Sequence, residues 1–118
     1  MGPGGYRDNK CMKNLLRNIP ADLPEELFEN LAEGGSTSIK RIVSKGHTTD
    51  WYDQQENEFV VLLKGAARLE FEKGQFREMG PGDCMLIPSR VKHRVAWTEA
   101  DSETVWLAVH FSPEQAAK

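Results

Sequence analysis

The sequence predicts an all-β fold, a closed barrel or a two-sheet sandwich, and three observations carry that prediction. From Ser36 onward the apolar residues recur with a period of two, the spacing of a strand with one buried face. Glycine- and proline-rich turn signals then break the chain at regular short intervals, giving seven or eight short strands. The 118 residues suffice for one domain with one core.

Taken in order, residues 1–18 are expected to be a loose leader, because Gly2, Pro3, Gly4 and Gly5 are costly to order. Residues 19–35 carry the signals of a short helix packing on the barrel. Asp22 can cap it, Pro24 suits a first turn, and Glu25 and Glu26 favour its positive end. Leu27, Phe28 and Leu31 fall at helical spacing, and Gly34 and Gly35 stop the run. Strands follow over 38–44 and over 58–64, the second a nearly continuous apolar run ended by Gly65. In the next strand Ala67, Leu69 and Phe71 share one face and Arg68, Glu70 and Glu72 the other, the pattern of a sheet with one wet side. Lys73 and Gly74 make a tight turn into a short strand over 75–78. Gly80-Pro81-Gly82-Asp83 is a turn. Strands over 84–87, 93–98 and 104–111 complete the barrel, expected over 36–112, and residues 113–118 are a polar tail.

The formal net charge of -3 and the lack of a lysine and arginine stripe argue against nucleic acid as a partner, since phosphate binding needs clustered positive charge. The longest apolar stretches, Phe59–Leu63 and Val105–Val109, fall well short of the ~20 residues that cross a bilayer. Without the apolar core of a signal peptide, the chain is expected in the cytoplasm and off the membrane. Cys11 and Cys84 follow no metal or redox spacing and read as free thiols.

Two stretches carry chemistry. The first runs from Gly46 to Gly65, with Tyr52, Gln54 and Glu58 between; the second runs from Gly82 through Pro88 and His93 to Trp97. Their spacing resembles the paired motifs of the cupin superfamily, here a small single-domain cupin. Gly46, Glu58 and Gly65 occupy positions of the first motif, and Gly82, Pro88 and His93 positions of the second. The resemblance implies a jelly-roll, or double-stranded β-helix, barrel with Glu58 and His93 projecting into one mouth. It also implies a small-molecule ligand and a homodimer. Both histidines of the first motif are replaced, by Tyr52 and Gln54. Arg90 stands in place of a glycine, and Trp97 in place of an asparagine.

The site expected from these residues has Glu58, His93 and Tyr52 as the chemical groups and Gln54, Glu58 and His93 as candidate metal ligands. Tyr52, Trp97 and Arg90 would line the pocket, with barrel core as the other reading of Trp97 and a solvated loop charge as the other reading of Arg90. Imidazole and carboxylate suit Fe, Ni, Zn or Mn, whereas an amide oxygen is weak and a phenol binds well only once deprotonated. The other reading pairs Glu58 with His93 directly, each charge satisfying the other. His47 reads as an exposed loop residue and His110 as a packed or interface histidine, though either could complete a metal site. Asp50 and Asp53 belong to the rim, and Arg94 points outward toward Glu70 or Glu72. Trp51 packs between strands or at a subunit contact. Three functions fit: a metal-dependent dioxygenase, isomerase or lyase, with metal-free acid–base chemistry as a variant; a non-catalytic ligand-binding or sensing module; and a structural barrel. The final strand is apolar on both faces, so its outer face needs a cover, a second subunit being the expected one.

Overall fold

The computed structural model describes residues 12–113, so residues 1–11 of the expected leader and 114–118 of the expected tail lie outside the described residues. Eight strands follow one another: β1 (Leu27–Gly34), β2 (Thr37–Ser44), β3 (Asn57–Lys64), β4 (Ala67–Phe71), β5 (Gln75–Met79), β6 (Cys84–Ile87), β7 (His93–Thr98) and β8 (Thr104–Phe111). They form a five-stranded sheet in the order β1-β2-β8-β3-β6 and a three-stranded sheet in the order β5-β4-β7. Every pairing is antiparallel. Val60, Leu62, Ala67, Leu69, Met79, Ile87 and Trp106 form the buried core. Fully burying a side chain such as Leu62 contributes about 1.5–3 kcal/mol.

The short N-terminal helix expected over 19–35 is replaced by a strand. Leu27, Glu29 and Leu31 are half-buried while Phe28, Asn30 and Ala32 are exposed, an alternation of period two. Leu27 and Leu31, four apart, fit either period, and the choice falls to whatever satisfies the backbone. Here β2 offers an open edge, and β1 pairs with it from Leu27↔Val43 to Gly34↔Thr37, with a bulge at Leu31. The two glycines read as a helix stop are a hairpin turn, with Gly35 at φ +57°.

The chain just before β1 is not a loose leader where it is described. Arg41, 5% exposed on the outer face of β2, pairs with Glu29. It also donates to the carbonyls of Leu15 (3.0 Å), Arg17 (2.8 Å) and Asn18 (3.3 Å). A buried guanidinium requires such a ring of acceptors, and this one ties residues 15–18 to the sheet. Val43 and Val105, register partners in this part of the outer face, are fully buried.

Gly65 links β3 to β4 at φ +94°, in the left-handed region. A Cβ there would lie 2.6 Å from the Thr104 Cα and 2.8 Å from the Glu103 carbonyl oxygen. Thr104 is itself fully buried and bonds both the N–H and the carbonyl of Ala66. Backbone strain and overpacking therefore fall on the same residue. Gly65→Ala is expected to lower the unfolding free energy by about 3 kcal/mol or more, measured by chemical denaturation; a loss below about 1 kcal/mol would contradict this account of the turn.

Candidate functional site

The register of the larger sheet lays its inward residues out in rows. Ser38 pairs with His110, His110 with Glu58, and Glu58 with Ile87. One row deeper, Asn30 pairs with Lys40, Lys40 with Ala108, Ala108 with Val60, and Val60 with Met85. The next row holds Phe28, Ile42, Trp106 and Leu62. The smaller sheet closes the opposite side with Leu69, Val95 and His93. Between the two sheets lies a cavity of about 720 Å³, with an apolar floor of Val60, Leu69, Ile87, Val95 and Trp106.

Glu58 is the hub of the polar end. Its Oε1 accepts from the Gln54 amide nitrogen at 3.0 Å and faces the Nε2 atoms of His93 at 3.4 Å and His110 at 3.7 Å. Burial pushes its carboxyl upward, but His110, His93 and Gln54 together outweigh burial and hold it well below the usual carboxylate range. His93 is the counterpart. Burial disfavours its charged form, yet the Glu58 carboxylate and the Val91 carbonyl prevail and raise it above the ordinary imidazole value. The geometry agrees: Nδ1–H donates to the Val91 carbonyl at 2.9 Å while Nε2 faces a carboxylate oxygen. Two acceptors on two ring nitrogens are both satisfied only by the doubly protonated imidazolium.

Tyr52 reaches the site through backbone. Its N–H donates to the His93 carbonyl at 2.7 Å and its own carbonyl accepts from His93 N–H at 3.1 Å. The phenol ring lies 5.5 Å from the imidazole, centroid to centroid. Burial, then the charges of Glu26 and Glu58, raises the phenol above its ordinary value, so it remains a proton-bearing donor.

Tyr52, Gln54, Glu58 and His93 therefore all line one cavity, but two other expected pocket residues do not. In β4–β7, Arg68 pairs with Trp97 and Leu69 with Val95, so Ala96 is an extra residue, a bulge. It reverses the alternation that would put Trp97 on the face of His93. Trp97 instead sits on the outside, 40% exposed, with the Arg68 guanidinium 5.9 Å from its ring centroid. Arg90 is outside the cavity as well. Its Nη1 donates to the Asp53 carboxylate and carbonyl, both at 3.3 Å, and its N–H donates to the Gln54 carbonyl at 2.9 Å. It sits at φ +68° and fixes the loop that carries Gln54.

Of the remaining groups, Arg94 lies on the outer face, where it pairs with Glu70 at 2.6 Å and covers the ring of Trp51. His47 is half-buried; its Nδ1 accepts from the Lys45 N–H at 2.9 Å. His110, read from sequence as a packed or interface residue, is a cavity residue. Its alternation with Trp106 and Ala108 gave the face, but the β3–β8 register is what sets it opposite Glu58.

The donor set does not fit a metal centre of Gln54, Glu58 and His93 holding Fe, Ni, Zn or Mn. Gln54 presents its N–H to Glu58, both nitrogens of His93 face acceptors, and Tyr52 retains its proton, so these expected donors are committed, while the buried His110 Nδ1 has no partner. Among the described residues, no three or more of His, Cys, Asp and Glu are arranged to hold a metal ion.

The comparisons agree with this architecture. The cupin-domain family Cupin_2 matches residues 41–110. A provisionally assigned mannose-6-phosphate isomerase from Ralstonia eutropha JMP134 is 39% identical, with a TM-score of 0.82 over 86% of this chain and 97% of its own. A cupin superfamily protein from Desulfitobacterium hafniense DCB-2 is 18% identical, with a TM-score of 0.69 over 80% of this chain and 84% of its own. The polyketide cyclase RemF from Streptomyces resistomycificus is 19% identical, with a TM-score of 0.67 over 75% of this chain and 66% of its own. No curated protein matches. Among the described residues, no helix is long and apolar enough to cross a membrane. A family match over more than half of the chain, on a barrel of eight antiparallel strands with the acid and the imidazole at one mouth, places this chain in the cupin family.

Proposed function

We propose that this protein binds a small polar molecule in its barrel cavity, anchored by the Glu58–His93 ion pair with His110, Gln54 and Tyr52 around it. The observation that carries this reading is the convergence of two imidazoles on one carboxylate at the end of a cavity of about 720 Å³, a volume suited to small ligands. A charged acid–imidazole pair offers an acceptor and a donor side by side, and the Tyr52 phenol offers a second donor. Hydroxyl and carbonyl groups pair naturally with that arrangement. Many polar side chains directed into one cavity would be costly for packing alone, which disfavours the structural reading.

A second reading, an isomerase acting by proton transfer, is favoured by the 39% identical relative provisionally assigned as a mannose-6-phosphate isomerase. In that case His93 acts in its neutral form: Nε2 takes the proton from a substrate carbon, becomes the imidazolium, and returns the proton to the neighbouring carbon. Glu58, held well below its usual range, is a weak base and serves to orient and charge the imidazole.

We further propose that the chain forms a homodimer through the outer face of the larger sheet. There Ile39, Val109, Phe59 and Leu86 are consecutive register partners across four strands. Phe59 is 37% and Leu86 53% exposed. A row of that kind on an antiparallel sheet calls for a cover.

The folded-state acidity of Glu58 lies below its ordinary value of 4.5, so its contribution to stability is complete above that pH and declines as pH falls below it. The folded-state value of His93 lies above 6.5, so its contribution is complete below that pH and declines as pH rises through the folded value. Thermal stability is therefore expected to peak between these limits, and Glu58→Gln to flatten both limbs; an unchanged profile in the variant would remove the ion pair from the account. For ligand binding, a panel of aldoses, ketoses and polyols is expected to contain a compound that raises the melting temperature of the wild type and not of Glu58→Gln. NMR of mannose 6-phosphate with the wild type and His93→Gln tests the isomerase reading, and a panel with no binder at all refutes the anchor. Finally, Phe59→Asp is expected to convert a dimer to a monomer in sedimentation, whereas a wild type that is monomeric at micromolar concentration overturns the proposed interface.

A further inference from the structure

We infer that the cavity selects a ligand with a single anionic group, a phosphate or a carboxylate, and that Lys40 is the residue that recognises it. This deepens the proposed ligand-binding reading and rests on the same cavity. Lys40 projects from β2 into the cavity, one row below Ser38 and two strands from Glu58. Among the described residues its ammonium has no hydrogen bond and no carboxylate within 4.0 Å, although acidic side chains line the same cavity. Those that have partners have them elsewhere. Glu33 accepts from the Asn30 amide at 2.6 Å, Glu26 from the Ser44 hydroxyl at 2.6 Å, and Glu58 from Gln54.

The neighbourhood leaves space at this point. The register partner of Lys40 on β8 is Ala108, a small, fully buried side chain, and the partner on β1 is Asn30. A second donor of the same wall is also unmet: the buried Trp106 Nε1–H has no partner. A buried donor left unpaired is costly. A third unmet atom of this wall, the buried His110 Nδ1, donates or accepts according to its tautomer; the Lys40 ammonium and the Trp106 N–H can only donate, so beside them the wall asks for acceptor oxygens. The carboxylates of Glu26, Glu33 and Glu56 nearby would repel a ligand with negative charge spread along its length. One terminal anion at Lys40 is the charge pattern that fits.

Distance sets the length of the ligand. Two strand spacings and one row separate Lys40 from Glu58, about 12 Å between α-carbons. With both side chains reaching inward, a chain of a few carbons spans from the ammonium to the Glu58–His93 pair. The chemical class is a small hydroxylated acid or a sugar phosphate.

Isothermal titration with glucose 6-phosphate, gluconate and glucose tests this. The wild type is expected to bind at least one of the two anions tenfold or more tighter than glucose. Lys40→Met is expected to bring that preference below threefold, Lys40→Arg to retain it, and Lys64→Met, which alters the surface partner of Glu103, to leave it unchanged. Preference for the phosphate alone identifies a phosphate monoester, and preference for gluconate alone a carboxylate. Glu58→Gln is expected to weaken all three probes, whereas Lys40→Met keeps glucose binding and loses only the anion preference, so failure of the Glu58 anchor and failure of anion recognition are read separately. Equal affinity for all three probes, no binding of either anion, or a preference that survives Lys40→Met overturns the inference.

Discussion

The antiparallel register between β3 and β8 is the constraint on which the site depends. It sets Glu58 opposite His110 and Phe59 opposite Val109, so the polar cluster faces inward and the apolar row outward. Because side chains alternate strictly, a slip of one residue would exchange the two faces, turning the acid to solvent and Phe59 into the cavity. The register is held by what it buries: Val60, Leu62, Ala108 and Trp106 on the inner face have no other place to go. The hydrophobic core thus positions an acid and an imidazole that contribute nothing to it.

The opposite wall uses a different device. Tyr52 and Thr49 lie along β7 through short backbone bonds, Tyr52 to His93 and Thr49 to Val95. The irregular segment between β2 and β3 is in effect a partial strand added to the smaller sheet. Arg90 then pins the carbonyls of Asp53 and Gln54. This delivers Gln54 to Glu58 from the loop side and His93 to Glu58 from the sheet side. Charge completes the arrangement: a carboxylate held low and an imidazole held high are one interaction seen from two ends.

Departures from the sequence reading have local causes. Trp97 shares parity with His93 on paper, and one extra residue at Ala96 turns it outward; alanine carries no signal for a bulge. The strand β1 reads as a helix because Leu27 and Leu31 satisfy both periods, and the open edge of β2 decides between them. His110 had the right face and lacked a partner until β3 was laid beside it. Lys40 has the pattern of a solvated strand residue; a cavity-facing ammonium is distinguished from an exposed one only by what lies across from it.

The sequence by itself determined the all-β class, the bounds of most strands, and the spacing of Glu58 and His93 within two glycine-framed stretches. Those are local properties, written in alternation, turn residues and motif intervals. Tertiary structure alone decided which strands are neighbours, which face each side chain takes after a bulge, and whether donors near Glu58 are free or committed. Pairing partners far apart in the chain are chosen by the total burial and backbone satisfaction of the assembled sheets, a quantity no short window of residues contains.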